Sequence, residues 1–283
     1  MSDLFEIVPN ISEGRDREVI AACAHAIQSH ARLAHQTSDA THHRSVFTAF
    51  GDEEAIFAAA LALARVAVAR IDLRQHRGVH PRIGALDVLP FVPIGATPMA
   101  SAVALAHRVG NAIWEELGVP SFFYGEAARS EDRRVLADVR RGEFERLSER
   151  HAAMPPDVGH QAGHQSAGAI AIGARLPLVA FNIELDTDDV MLARQIASMI
   201  RERGGGLTSL RALGLALNNN RVQVSLNITD AQATPLARVI RLVRASAARA
   251  GVAVKRCELI GLVPRAALAD FVASEFQLEL PTS

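Results

Sequence analysis

One succession of strand and helix signals runs through the chain twice, and it restricts the fold more than any other feature. Residues 4–8 form a short apolar strand stopped by Pro9, and the turn Ser12-Glu13-Gly14 leads into a helix over 16–28. Strand-like runs at 33–37 and 45–50 follow, then a helix over 53–70 introduced by Gly51-Asp52, then an alternating strand at 85–91. The order is βαββαβ. A helix over 98–117, a strand at 121–124 and a polar helix over 127–141 extend this half. The second half repeats the order. A strand at 178–185 precedes a helix capped by Thr187-Asp188-Asp189 and running to Arg203, where Gly204-Gly205-Gly206 stops it. Segments 207–217 and 222–228 read as a hairpin across Asn218-Asn219-Asn220, Thr234-Pro235 opens a helix to Ala250, and 252–263 supplies the last strand. The expected fold class is α/β (α+β), with two ferredoxin-like βαββαβ subdomains whose helices cover one face of mainly antiparallel sheets. The expected division is 1–168 and 169–283.

Composition removes several function classes. At 49% apolar residues a chain of 283 can bury a full core, which excludes intrinsic disorder. Thirty Lys and Arg face 31 Asp and Glu, with no basic stripe, so nucleic acid is not an expected partner. Cys23 and Cys257 are far apart and outside any C-x-x-C pattern, consistent with a reducing cytoplasm. The start lacks a basic region followed by an apolar one, and the most apolar helical stretch is interrupted by Arg65 and Arg70. A soluble, cytoplasmic protein with no membrane partner is expected.

Chemistry concentrates in three polar connections. All 11 His lie at or before His164. Segment 72–84, DLRQHRGVHPRIG, is too long for an ordinary connection and holds His76, His80, Arg74, Arg77 and Arg82. A His on a loop stiffened by Pro81, beside arginines, suits general acid/base work on an anionic substrate; a plain solvated loop reads equally well. Segment 39–48, DATHHRSVFT, puts Asp39, His42, His43 and Arg44 at a strand-to-strand tip, either as an ordinary hairpin or as a carboxylate that orients His80 or holds a cationic substrate group. Segment 157–168, DVGHQAGHQSAG, reads as a linker or as a surface for a flat polar ligand such as a pterin. The pairs His76/His80 and His160/His164 have four-residue spacing, but Gly78, Pro81, Gly159 and Gly163 oppose helix there, so no metal site is expected.

The stretches VPNISEGR (8–15), HPRIGALDVLP (80–90), YGEAA (124–128), GARLPLVAFNIEL (173–185), QVSLNITD (223–230) and LIGLVP (259–264) occur here in the order seen in the glutamate formiminotransferase family, which the chain resembles from about residue 3 to 270. The resemblance implies transfer of a formimino group from N-formimino-L-glutamate to N5 of tetrahydrofolate, a step of histidine degradation, with tetrahydrofolate as co-substrate and a homodimer as the assembly. It implies that His80 is the catalytic histidine and that Asp39 stands near the active centre. The folate-binding stretch falls on Gly159, His160, Gln161, Ala162, Gly163, His164, Gln165, Ser166, Ala167 and Gly168. On that basis Arg44 and Arg82 are expected to hold substrate carboxylates, and the cyclodeaminase is expected on another chain. Two alternatives stay open: a relative using N-formylglutamate or 5-formyltetrahydrofolate, and a non-catalytic folate or small-ligand binding module.

Overall fold

The computed structural model describes residues 3–217 and 220–276. Its mixed α/β chain divides into two compact units, Met1–Arg175 and Leu176–Ser283.

In the first unit the opening strand is split at Pro9 into β1 (Leu4–Ile7) and β2 (Asn10–Ile11). Proline interrupts the ladder, but its carbonyl still accepts the Phe47 amide. Helix α1 (Arg17–Gln28) starts where the Asp16 carboxylate accepts the amides of Glu18 and Val19, a cap worth about 1 kcal/mol. Strands β3 (Arg32–Asp39) and β4 (Arg44–Gly51) form a hairpin closed by the pair Asp39 and Arg44. Helix α2 (Glu53–Arg70), capped by Asp52, is apolar on nearly every side because it packs between α1 and α3 (Met99–Leu117). Strands β5 (Leu86–Ile94), β6 (Ser121–Gly125) and β7 (Ile170–Ala174) complete a seven-stranded sheet of order β1-β4-β2-β5-β7-β6, with β3 on β4.

The pairings β5–β7 and β6–β7 are parallel, and these three strands are buried on both faces. On the face away from α1, α2 and α3, Val88, Phe122, Tyr124 and Ala171 meet Val139 and Leu147 from the short helices α4 (Leu136–Val139) and α5 (Leu147–Arg150). Helices therefore reach both faces of this sheet. Double burial explains the near-continuous apolar runs of β5 and β7. The polar helix expected over 127–141 is replaced by a short turn at 131–133 followed by α4. Two of its arginines turn inward: Arg133 reaches Asp157 and the Pro155 carbonyl, and Arg140 reaches Asp87. Those inward contacts displace the solvated helix.

The second unit runs β8 (Val179–Leu185), α6 (Val190–Ile200), β9 (Leu210–Ala216), β10 (Val222–Ile228), α7 (Leu236–Arg249), β11 (Val254–Ile260) and α8 (Arg265–Phe276). Its sheet is antiparallel in the order β11-β8-β10-β9, and Phe181, Ile183, Val224 and Leu226 join residues of α6 and α7 in one core. Helix α6 ends at Ile200, three residues short of the expected Arg203, because the glycine run folds back: the amides of Gly206 and Leu207 reach the Arg201 and Ile200 carbonyls. The turn expected at Asn218-Asn219 lies outside the described residues. Helix α8 has no counterpart in the expected order.

Candidate active site

The end of β2 and the starts of β4, β5 and β7 lie at one end of the first sheet, and their connections gather there. The connection into β5 is held at several points. Ser12 Oγ donates to the Gly84 carbonyl at 2.7 Å, the Ala85 amide to the Ala167 carbonyl at 2.9 Å, and the Ala169 amide to the Ile83 carbonyl at 2.9 Å. Segment 164–169 is thus zipped against 83–85, and the His80 connection and the 159–168 loop share one wall.

His80 is partly buried on this connection, and its Nδ1 lies 2.8 Å from the Pro81 carbonyl. A carbonyl only accepts, so Nδ1 carries the proton and Nε2 is left as the basic nitrogen. Burial, then the positive charges of Arg44 and Arg140, push the imidazole well below its ordinary 6.5, against a weaker opposing pull from Asp87. The result is a neutral imidazole near pH 7, the form a general base needs.

The 39–44 turn abuts this loop. A Cβ on Gly78 would lie 2.5 Å from the His42 carbonyl, so only glycine permits the approach. Among the described residues no hydrogen bond or ion pair joins Asp39 to His80. It accepts the His42 amide at 2.7 Å and lies 3.1 Å from His42 Nδ1, and the His42 ring stands 6.2 Å from the His80 ring. The His42 side-chain hydrogen bond is the main reason the Asp39 carboxyl sits down at about 2. His42 thus connects Asp39 to the His80 side of the site.

The two expected carboxylate clamps differ. Arg44 is buried, donating from Nη2 to Asp87 at 2.7 Å and from Nε to Asn10 at 3.0 Å. Arg82 is also buried, and its fork is engaged: Nη1 and Nη2 meet Glu145 at 2.7 and 2.6 Å, Nη1 meets Glu143 at 3.1 Å, and Nε donates to His76 Nδ1 at 3.1 Å. His76 in turn donates from Nε2 to the His43 carbonyl at 3.0 Å. Arg82 braces the loop in this arrangement.

The 159–168 loop is part anchor and part surface. Gly159, at φ +92°, and His160 pack on Trp114, whose ring is 4.9 Å from the His160 ring. His164 and Gly168 exchange backbone hydrogen bonds, and His164 Nδ1 accepts the Ala167 amide at 3.1 Å. Ala167 and Gly168 are buried; a Cβ on Gly168, at φ +70°, would lie 2.0 Å from the Ile83 carbonyl. His160, Gln161 and Gln165 are exposed, with Ala162, Gly163 and Ser166 partly so.

Two family profiles match most of the chain. The profile described as "Formiminotransferase domain, N-terminal subdomain" matches residues 4–175, and that described as "Formiminotransferase domain" matches residues 180–280. The chain belongs to the formiminotransferase family. It is 41% identical over 285 residues to a glutamate formimidoyltransferase of Streptococcus pyogenes, covering 99% of this chain and 95% of that one. It is 42% identical over 282 residues to a glutamate formimidoyltransferase of Thermoplasma acidophilum, covering 97% and 93%. Against the formimidoyltransferase-cyclodeaminase of Gallus gallus it is 41% identical over 290 residues but spans only 53% of that longer protein.

Within this formiminotransferase chain, the residue that organises the site is Asp87, which the sequence reading passed over inside an apolar strand. It is fully buried and accepts from Arg44, Arg140 and the amides of Ile83 (2.7 Å) and Gly84 (3.3 Å). Burial opposes its charge, but Arg140 and Arg44 together outweigh burial and keep it ionised far below the ordinary carboxylate range. One signal pointed to it: a lone carboxylate inside LDVLP has to be paired if that strand is buried.

Proposed function

We propose that this chain transfers the formimino group of N-formimino-L-glutamate to tetrahydrofolate, releasing L-glutamate, as a cytoplasmic enzyme of histidine degradation. The observation that carries the reading is His80: a neutral imidazole whose Nε2 is the basic nitrogen, on a loop zipped to segment 159–168, in a chain whose residues 4–175 and 180–280 match the family.

Residues 159–168 fit a flat polar ligand. Gly159 and Gly168 adopt positive φ, and His160, Gln161 and Gln165 offer exposed donors and acceptors while Ala167 and Gly168 anchor the loop. Tetrahydrofolate, when bound there, supplies N5 as the nucleophile. His80 Nε2 takes the proton released at the nucleophile and returns it to the departing glutamate nitrogen, so one group serves as base and then as acid. Asp39, held ionised by His42, sets a negative charge on the same side for the cationic amidine. The same reading takes each unit as a ferredoxin-like βαββαβ subdomain, the first of them carrying the chemistry, and the working molecule as a homodimer.

Trp114 is the only tryptophan, so its emission reports on the loop. Titration with a folate should quench it saturably, and the folate-loaded protein should turn over the formimino donor faster than N-formylglutamate. Preference for the formyl donor would overturn the donor assignment.

A further inference from the structure

We propose that Arg140 binds a carboxylate of the formimino-amino-acid donor, an assignment that rests on the transfer reaction proposed above. That donor carries two carboxylates, and the site must offer cations for them. Arg82 is closed off by Glu143, Glu145 and His76. Arg44 is buried, with Nε on Asn10 and Nη2 on Asp87. Arg140 differs from both. Among the described residues its one side-chain hydrogen bond runs from Nη2 to Asp87, its Nε is a buried donor without an acceptor, and 13% of its side chain reaches the surface.

Charge points the same way. Arg44 and Arg140 share the single carboxylate of Asp87, which leaves one uncompensated positive charge beside His80. A buried cation in excess is costly unless an anion joins it. A donor carboxylate on Arg140 supplies that anion, satisfies an open guanidinium donor and brings the amidine to the imidazole in one step. Asp87, whose carboxylate accepts hydrogen bonds from these arginines and the loop amides, is the positioning residue that aims Arg140.

Removing Arg140 leaves Arg44 and Asp87 as a neutral pair, so Arg140→Gln is compatible with folding. Three donors test the assignment: formiminoglutamate, the formimino derivative of 4-aminobutyrate, which lacks the α-carboxylate, and that of 2-aminobutyrate, which lacks the γ-carboxylate. For R140Q we expect KM for formiminoglutamate to rise roughly 10- to 100-fold, the loss of one charge-assisted hydrogen bond, with KM for tetrahydrofolate unchanged. For one of the truncated donors, unaltered protein and R140Q should be equally slow, and Arg140→Lys should recover part of the loss. An unchanged KM for formiminoglutamate in R140Q, or an equal penalty on all three donors, overturns the assignment while transfer by the unaltered protein persists. No transfer by the unaltered protein would overturn the proposed reaction as well.

Discussion

The two units thread strand, helix, two strands, helix and strand in the same order, yet they treat charge in opposite ways. Among the described residues, Arg44, Arg82, Asp87 and Arg133 are buried in the first unit, against Glu184 alone in the second. All the histidines lie in the first unit as well. The second unit is an antiparallel sheet with one apolar core and short connections. The first spends its connections on holding ionised groups out of water, which costs several kcal/mol for each unpaired ion. A shared chain order therefore specifies a scaffold, and the reactive groups come from what its connections carry.

The sharpest contrast pairs one substitution from each unit. His80→Ala should lower kcat by about 10² to 10⁴ with little change in thermal midpoint, because the residue is only partly buried and, among the described residues, its one side-chain hydrogen bond is to its neighbour Pro81. Phe181→Ala, in the core of the second unit, should do the reverse: a stability loss of about 3–5 kcal/mol by denaturant unfolding with kcat per folded molecule kept. If the second substitution abolished turnover in folded protein, the division of labour between the units would fail.

A smaller effect is expected at the anchor between loops. Gly168→Ala places a Cβ against the Ile83 carbonyl at positive φ, so we expect a loss of about 1–3 kcal/mol and a raised KM for tetrahydrofolate. Equal KM values would detach segment 159–168 from the folate.

The pH dependence sharpens the electrostatic side of the comparison. His80 is pushed below its ordinary value, so the folded protein binds fewer protons there than the unfolded chain. Its contribution to stability is present above about pH 6.5 and is lost as pH falls from there toward the depressed value. Activity should likewise persist into mildly acidic solution and fall only when the imidazole protonates. Arg140→Gln removes a positive neighbour and raises the imidazole pKa, so the acid limb of kcat should move to higher pH; a limb that stays in place would contradict the coupling. The smallest effect belongs to the surface: Arg108→Gln, which breaks exposed pairs with Glu53 and Glu54, should change stability by roughly 0.2–1 kcal/mol and leave turnover alone.

What could be read from the residues follows the same division. Helix α2 was legible to the residue, because Asp52 caps it and an unbroken run of helix-forming, mostly apolar residues fills it. The strands of both units fell within a few residues of their observed bounds, and His80 was legible as a stiffened imidazole between arginines. The segment at 127–141 was not, because its polarity reads as a solvated helix while Arg133 and Arg140 in fact turn inward to carboxylates distant in sequence. The partners of Asp87, and the saturation of Arg82 by Glu143 and Glu145, were hidden for the same reason. Periodicity reports which face is apolar, but long-range charge pairing leaves no periodic trace.

The central claim is that the chain moves a group between two substrates and does not merely cleave one. Mixing protein, formiminoglutamate and tetrahydrofolate while following free glutamate and the folate product together tests it most directly. One glutamate should be released per folate modified and none without tetrahydrofolate, whereas glutamate released at the same rate in its absence would contradict transfer.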